Sequence, residues 1–171
     1  MVAESTMDLI QEALLEELEK TAPRRVLCIA DGQTASLDAY LGRHDDCVVE
    51  RPDPASTAAD PGKLGRYDIG LVCGVLEQLS AEHGSTLLAR LRDVHCRRLY
   101  VTWRQNGHRA TEGFWTHERL LSMALALLRR VDQDGMITGI YRYDIDSYNP
   151  RREWNNPDKW AHPENFGRFR W

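Results

Sequence analysis

The sequence predicts a three-layer α/β domain, in which helices cover both faces of a mostly parallel sheet that ends in an antiparallel hairpin. Continuous apolar runs at 26–29 and 69–73 are typical of strands buried on both faces, and each is followed by a turn and a helical pattern. Asp134-Gly135 separates two later strand-like runs and suits a two-residue hairpin turn, because both central residues of such a turn adopt positive φ.

Composition limits the chain to one domain. Its 171 residues are 42% hydrophobic, which is enough for a single core. The formal net charge of −4 argues against a nucleic-acid surface built on bulk charge. The sequence has neither the apolar run of a signal peptide nor the roughly 20 apolar residues that span a bilayer, so we expect a cytoplasmic protein without a membrane partner.

The first half of the domain starts with an amphipathic helix within 1–22, which Ser5 caps and Pro23 ends. The elements predicted next are a strand at 26–29, a crossover helix at 33–41 that ends at Gly42, and a strand at 47–50. The stretch 51–66 contains three prolines and two glycines. It therefore excludes a long helix and a complete strand–helix–strand unit of roughly 30 residues.

The second half repeats this alternation. The predicted elements are, in order, a strand at 69–73, a helix capped by Ser80, a strand at 99–103, a helix from Trp115 to Leu128, and hairpin strands at 131–133 and 136–145. We expect the apolar side of the first of these helices to extend to Val94. The domain then spans 1–146, and 147–171 form a C-terminal tail.

The segment from Val26 to Ile145 resembles the class I S-adenosylmethionine-dependent methyltransferases. In that family an acid on the first strand is followed by Gly-x-Gly-x-Gly. Here Cys28 stands in the place of the acid, and Ala30, Gly32 and Thr34 stand in the places of the three glycines. The resemblance implies a Rossmann-like methyltransferase-type sheet with one strand missing and a degenerate cofactor loop, in a bacterial family of methyltransferase-like proteins.

The resemblance also implies a place for the cofactor S-adenosylmethionine, at the carboxyl ends of the parallel strands. Glu50 takes the position of the family's ribose-binding carboxylate. We expect side chains at Ala30 and Thr34 to crowd the backbone approach that glycine permits. The predicted cofactor-binding residues are Ala30, Asp31, Gly32, Glu50, Cys73 and Gly74.

The segment 75–79 looks like the Val-Leu-Glu-His-Leu segment of small-molecule methyltransferases, with Gln78 in place of histidine. The Asn-Pro-Pro-aromatic motif of enzymes that methylate exocyclic amines is absent after this strand, which argues against base or glutamine methylation. Glu77, Trp103 and Arg104 are the candidate substrate contacts, because they follow strands at the expected ligand-facing edge.

Each candidate has a plain structural alternative. Asp31 and Gly32 would make a tight turn in any doubly wound fold, Glu50 would be an exposed acid, and Trp103 with Arg104 would belong to a solvated loop. Cys73 is expected in the core rather than as a nucleophile, since buried thiols are inert. The cysteines and histidines show no ligand spacing, so no metal site is predicted and no catalytic residue is assigned.

The tail carries a six-residue repeat, aromatic-x-x-Pro-acid-polar, at 154–159 and 160–165. Prolines at this spacing forbid a regular helix, so we expect an extended tail packed on the body, with Trp154 and Trp160 as anchors. The alternatives are a protein-partner surface built on these tryptophans and, third, stacking on RNA bases with help from the interleaved arginines.

Two functional hypotheses follow. In the first, the chain is a small-molecule methyltransferase that holds its substrate in line with the methyl sulfonium, where proximity supplies much of the rate and no protein nucleophile is required. In the second, the chain is a non-catalytic scaffold whose cleft or aromatic tail binds a partner. Fold analogy does not choose between them, because one fold hosts many functions.

Overall fold

The computed structural model describes residues 6–106, 115–148, 162 and 164, and its centre is a six-stranded sheet. The strands are β1 (Arg25–Ala30), β2 (Val48–Glu50), β3 (Tyr67–Cys73), β4 (Cys96–Asn106), β5 (Ala126–Gln133) and β6 (Met136–Asp144). Their order is β2-β1-β3-β4-β6-β5, in which β6 runs antiparallel to both of its neighbours and the other pairs are parallel. The predicted fold class is confirmed.

Helices and single turns connect and cover the strands. The helices are α1 (Thr6–Thr21), α2 (Ala35–Leu41), α3 (Pro54–Ala59), α4 (Ala81–Arg90), α5 (His117–Ser122) and α6 (Ile145–Tyr148). Short 3₁₀ turns lie at Pro61–Lys63 and Leu76–Gln78, and a π-helical turn lies at Leu91–His95. As predicted, 51–66 holds only short turns of helix. No helix in the described part of the chain is both long and apolar enough to cross a membrane.

The sheet separates two apolar cores. One core lies between the sheet and α1 and α2, and includes Leu14, Leu37 and Ile69. The other lies under α4 and α5 and includes Leu87 and Leu120. Strands β1 and β3 are buried on both faces, which is why their sequences are continuous apolar runs rather than alternating ones.

The hairpin turn forms where the sequence predicts it. Asp134 and Gly135 have φ values of +53° and +74°, in the left-handed region that this turn requires. Ser80 also caps α4, where its hydroxyl accepts a hydrogen bond from the His83 N–H at 3.2 Å.

The predicted helix from Trp115 to Leu128 is wrong in its extent. Helix α5 ends at Ser122, Ala124 adopts a left-handed φ of +65°, and the chain then enters β5. Pairing with β6 satisfies the backbone of 126–133, so a tertiary contact overrides the helical spacing of the leucines. Trp115 and Leu120 are nevertheless buried on the sheet.

The predicted apolar side of α4 is wrong at Val94, whose side chain is 44% exposed. The π-helical turn that begins at Leu91 has a wider repeat than an α-helix, so the residues that follow do not stay on the same face.

A buried polar cluster holds α1 to the sheet. The carboxylate of Glu17 in α1 accepts a hydrogen bond from the Tyr100 hydroxyl at 2.7 Å and another from Arg142 Nη1 at 3.2 Å. Burial raises the pKa of Glu17, but these two hydrogen bonds and the charges of Lys20 and Arg142 outweigh it and leave the pKa below its usual value. Glu17 is therefore ionised and bonded in the folded protein.

Removal of the Tyr100 hydroxyl should destabilise the protein. We expect Tyr100→Phe to lower the free energy of unfolding in urea at pH 7 by about 1.5–3 kcal/mol, because the buried carboxylate loses a donor. Tyr148→Phe, at a tyrosine that is 63% exposed, is the matched control and should change the free energy by less than about 0.5 kcal/mol. Equal losses in both variants would contradict the role of the cluster.

The same loss should depend on pH. Because the folded-state pKa of Glu17 is lowered, its stabilisation is present above the unfolded pKa of about 4.3 and disappears as the pH falls through the folded value. The difference between wild type and Tyr100→Phe should therefore shrink below about pH 4. A difference that stays constant from pH 7 to pH 3 would contradict this linkage.

Gly84 lets the Trp115 ring pack against α4. A Cβ at Gly84 would lie 2.5 Å from Trp115 Cζ2, so Gly84→Ala should destabilise the protein by about 1–2 kcal/mol despite the better helix propensity of alanine. At Gly42 the φ is −62° and the nearest contact of a Cβ is an ordinary 3.6 Å, so Gly42→Ala should be neutral or slightly stabilising. Urea unfolding of both variants checks this contrast.

Candidate functional site

A small cavity lies where the carboxyl ends of β1, β3 and β4 meet the first turns of α1. Its volume is about 90 Å³. Seven residues predicted from the sequence line it, namely Ala30, Asp31, Cys73, Gly74, Glu77, Trp103 and Arg104. We call it the edge cavity. Gln33 after β1, Thr102 in β4 and Thr138 in β6 also line it.

The loops after β1 and β3 are tied directly to each other. The Asp31 N–H donates to the Cys73 carbonyl at 3.0 Å, and Gln78 Nε2 donates both to the Asp31 carboxylate at 2.5 Å and to the Gly74 carbonyl at 3.2 Å. Gly32 and Gly74 take positive φ values of +96° and +67°. The residue that replaces the family's histidine therefore serves to join these two loops.

The loops after β3 and β4 are joined in the same way. The Arg104 N–H donates to Glu77 Oε1 at 2.7 Å, and the Arg104 guanidinium lies 2.9 Å from the Met7 sulfur in α1. The polar groups predicted to meet a substrate are thus bonded to protein neighbours.

Helix α1 forms the roof of the edge cavity through Met7, Ile10 and Gln11. The Gln11 side-chain oxygen accepts hydrogen bonds from the Ser36 N–H at 3.0 Å and from the Ser36 hydroxyl at 2.6 Å. Ser36 lies in the first turn of α2, where the cap residue Thr34 makes no side-chain capping bond. Gln11 therefore satisfies a donor that the start of a helix leaves unpaired.

Sequence reasoning did not identify Met7 and Gln11. Both lie within the predicted amphipathic helix, where a methionine and a glutamine at partly exposed positions carry no local signal. The contact between Gln11 and Ser36 joins residues 25 positions apart, so only the docking of α1 reveals it.

Two predicted cofactor-binding residues, Gly32 and Glu50, do not line the edge cavity, and Thr34 does not crowd it. Thr34 is 1% exposed, and its hydroxyl lies 3.6 Å from the Cys28 sulfur, so its side chain does not crowd a ligand. Glu50 pairs in register with Leu27, three residues before Ala30, and its carboxylate accepts a hydrogen bond from the Tyr67 hydroxyl at 2.5 Å. Ala30, in contrast, does line the cavity.

The Cys73 thiol lines the edge cavity in its neutral form. Burial raises the pKa of Cys73 to about 12, and the nearby Cys28 and Glu77 add to the effect, against one lowering hydrogen bond with Thr102. A thiol with this pKa is a poor nucleophile at neutral pH. In the described ranges no group of three or more His, Cys, Asp or Glu residues is arranged to hold a metal ion.

A larger cleft of about 470 Å³ opens at the opposite, amino-terminal edge of the sheet. Two of its three arginines, Arg92 and Arg97, are bonded to Asp93 and Asp146, with contacts of 2.6 Å and 2.9 Å; the third is Arg66. The predicted tail anchors Trp154 and Trp160 lie outside the described residues, and their role remains a prediction from sequence.

Solved structures of similar fold include methyltransferases. The N-terminal domain of EvdMO1 with S-adenosylhomocysteine bound has a TM-score of 0.53 at 11% identity, covering 82% of this chain and 84% of that chain. The N-methyltransferase NodS from Bradyrhizobium japonicum WM9, in complex with S-adenosyl-L-homocysteine, has a TM-score of 0.52 at 12% identity. The match covers 82% of this chain and 89% of NodS. The pyocyanin biosynthetic protein PhzM has a TM-score of 0.50 at 14% identity; the match covers 80% of this chain and 56%, just over half, of PhzM.

The chain therefore has a methyltransferase-type α/β fold, as the sequence resemblance implied. It belongs to a family of unknown function, DUF6231, whose sequence model matches residues 8–171. Comparison with curated proteins finds none whose sequence matches. Identities of 14% or less show a shared fold and carry no substrate to this chain.

The edge cavity does not fit the cofactor of this fold. Pockets for drug-sized ligands have volumes of about 300–1,000 Å³, whereas this one has about 90 Å³. Gln11 accepts the Ser36 N–H in the first turn of α2, and Glu50, the expected ribose ligand, is bonded to Tyr67. Within the part of the chain that the structure describes, this cavity has room for a few water molecules and not for a nucleoside joined to an amino acid.

The raised pKa of Cys73 predicts that its thiol reacts slowly with an alkylating reagent. In the folded protein at pH 8, iodoacetamide should modify Cys73 and the buried Cys96 very slowly, since the pKa of each is raised to about 12 by burial. Cys47 and Cys73 are both half-buried, but burial raises the pKa of Cys47 less, so Cys47 should react sooner; all four thiols should react once the protein is unfolded in urea. Peptide mass spectrometry of timed samples measures the order in which the thiols are modified. Rapid labelling of folded Cys73 would contradict it.

Proposed function

We propose that this chain is a non-catalytic binding protein, built on a methyltransferase-type body that no longer uses S-adenosylmethionine. The observation that carries this proposal is the docking of α1 over the carboxyl edge of the sheet, with Gln11 seated on Ser36 and about 90 Å³ left beneath. The function then depends on what other surfaces of the body bind.

The first support is steric. Met7, Ile10 and Gln11 stand over the strand ends, and Ile10 is fully buried there. A ligand the size of S-adenosylmethionine would have to displace these side chains and expose the apolar surface that they cover. Exposing a buried Ile costs about 1.5–3 kcal/mol before any contact with the ligand is made.

The second support is the way polar groups at this edge are satisfied. Asp31 is bonded to Gln78, Glu77 to Arg104, and Glu50 to Tyr67. A ligand would have to replace each of these bonds with one of equal quality, so it would gain little net free energy from them. An edge built to bind a cofactor would present unpaired donors and acceptors instead.

An active S-adenosylmethionine-dependent methyltransferase is the second candidate. One local feature favours it: a Cβ added at Gly32 would find no atom within 4 Å, so the backbone of the loop after β1 is open to an approaching ligand. Two of the similar structures also contain S-adenosylhomocysteine. For this candidate, the first turns of α1 have to move away before the cofactor enters.

Calorimetric titration separates the two candidates. We expect wild-type protein to give no saturable heat with S-adenosylmethionine or S-adenosylhomocysteine at 1 mM, and no rise in melting temperature. Binding at micromolar Kd, which corresponds to about −8 kcal/mol, would overturn the non-catalytic proposal.

A variant tests whether Gln11 is part of the barrier. Gln11→Ala removes the side chain from Ser36 and enlarges the edge cavity, so any residual affinity for S-adenosylhomocysteine should increase in this variant. Glu12→Ala is the matched control, because Glu12 is the next residue in α1 and its side chain is 60% exposed. Binding by wild type and both variants alike would show that α1 is not a barrier.

A further inference from the structure

A cavity of about 230 Å³ lies on the face of the sheet opposite α1, beneath the start of α5. We call it the aromatic cavity. The sheet supplies Trp103, Gln105, Arg130, Ile137, Gly139 and Tyr141, and the chain leading into α5 supplies Thr116, His117 and Glu118. Trp103 contributes to the linings of both this cavity and the edge cavity.

The strand register creates this cavity. Gly139 in β6 pairs with Trp103 on one side and with Arg130 on the other, so the three residues form one row across the sheet. Paired residues project from the same face, and the central member of this row has no side chain. The result is a depression between an indole ring and a guanidinium group.

The glycine in this row is required by Tyr141. A Cβ at Gly139 would lie 2.9 Å from Tyr141 Cε2, closer than such contacts occur. Because Gly139 has no Cβ, the Tyr141 ring folds over it and meets Trp103 edge to face, with ring centroids 6.3 Å apart at 72°. These two rings form the floor of the aromatic cavity.

His117 and Tyr141 form a hydrogen-bonded pair at the cavity. His117 Nδ1 lies 2.9 Å from the Tyr141 hydroxyl, and burial raises the pKa of Tyr141 to about 12. The phenol thus keeps its proton at neutral pH, and we assign its O–H as the hydrogen-bond donor to Nδ1. An imidazole that accepts a hydrogen bond at Nδ1 carries a proton on Nε2, which is left as a hydrogen-bond donor.

The rim carries charges of both signs. Arg130 is half exposed, and its ion pair, with Asp132, is long at 3.8 Å. Glu118 is ionised, because the backbone of its own helix turn and the Thr116 hydroxyl bond to that carboxylate and lower its pKa. A ligand carboxylate would therefore pair with Arg130 by replacing the long contact with Asp132.

We propose that the aromatic cavity is a binding site for a single-ring aromatic carboxylate. The ring of the ligand packs against Trp103 and Tyr141, and its carboxylate accepts hydrogen bonds from Arg130 and His117. A volume of about 230 Å³ is below the usual range for drug-sized ligands and suits one ring with its substituent. This proposal stands whether or not the edge cavity binds a cofactor, because the two cavities lie on opposite faces of the sheet.

Calorimetric titration with benzoate tests the site, with benzyl alcohol as the neutral analogue. We expect saturable benzoate binding with a Kd below about 1 mM, and binding of benzyl alcohol at least tenfold weaker. Absence of saturable benzoate binding would overturn the proposal. Equal affinity for both compounds would overturn the role assigned to the carboxylate contacts.

Three variants locate the binding. Arg130→Gln and His117→Ala should each weaken benzoate binding tenfold or more, while Arg129→Gln should leave it unchanged. Arg129 is the neighbouring arginine in β5, but it bonds to the Leu9 carbonyl of α1 and so lies on the other side of the sheet. Equal affinities across wild type and all three variants would place the ligand elsewhere and overturn the proposal.

Protein NMR distinguishes loss of contact from loss of fold. Benzoate should shift the imidazole signals of His117 in wild type and in Arg129→Gln, and unchanged melting temperatures would confirm that the variants fold. Tyr141→Phe keeps the ring and removes the partner of Nδ1, so it should weaken benzoate binding less than His117→Ala does. A stronger effect of Tyr141→Phe would contradict the assignment of His117 as the direct donor.

Discussion

The docking of α1 on the sheet determines how much space is left at the carboxyl edge. It depends on one buried interaction, in which Tyr100 and Arg142 from two neighbouring strands both bond to the carboxylate of Glu17. A buried carboxylate is costly unless it is bonded in this way, so the helix has one favourable position along and around its axis. That position places Gln11, less than two helical turns earlier, against the start of α2.

The carboxyl edge then differs from an open binding cleft in how its polar groups are used. Asp31 bonds to Gln78, Glu77 to Arg104 and Glu50 to Tyr67. Helix α1 covers the strand ends beside them. In a doubly wound fold the carboxyl ends of the strands are the usual ligand site because loops there leave donors and acceptors free. Here the same loops are intact in their backbone geometry, with Gly32 and Gly74 at positive φ, but their side chains stabilise one another.

The aromatic cavity arises from a different property of the sheet. A glycine in the middle of a strand weakens it, because it has no side chain to pack. Gly139 is central in a row of three strands, and the Tyr141 ring lies over it, beside Trp103 and Arg130. The edge cavity and the aromatic cavity thus differ in origin: α1 covers the first, and a glycine that lets an aromatic ring fold onto the sheet shapes the second.

The sequence by itself determined the fold class, the central strands and the hairpin, because these depend on local patterns. Buried parallel strands need continuous apolar runs, and the turn at 134–135 needs residues that tolerate positive φ. Seven of the site residues predicted from sequence also lie at one cavity, since strand ends in a parallel sheet share an edge. Only the tertiary structure decided which partner each of these side chains bonds to. Gln11 with Ser36, Glu50 with Tyr67 and the row through Gly139 join residues that are distant in sequence, and the pairing of β5 with β6 overrode the helical pattern of its own residues.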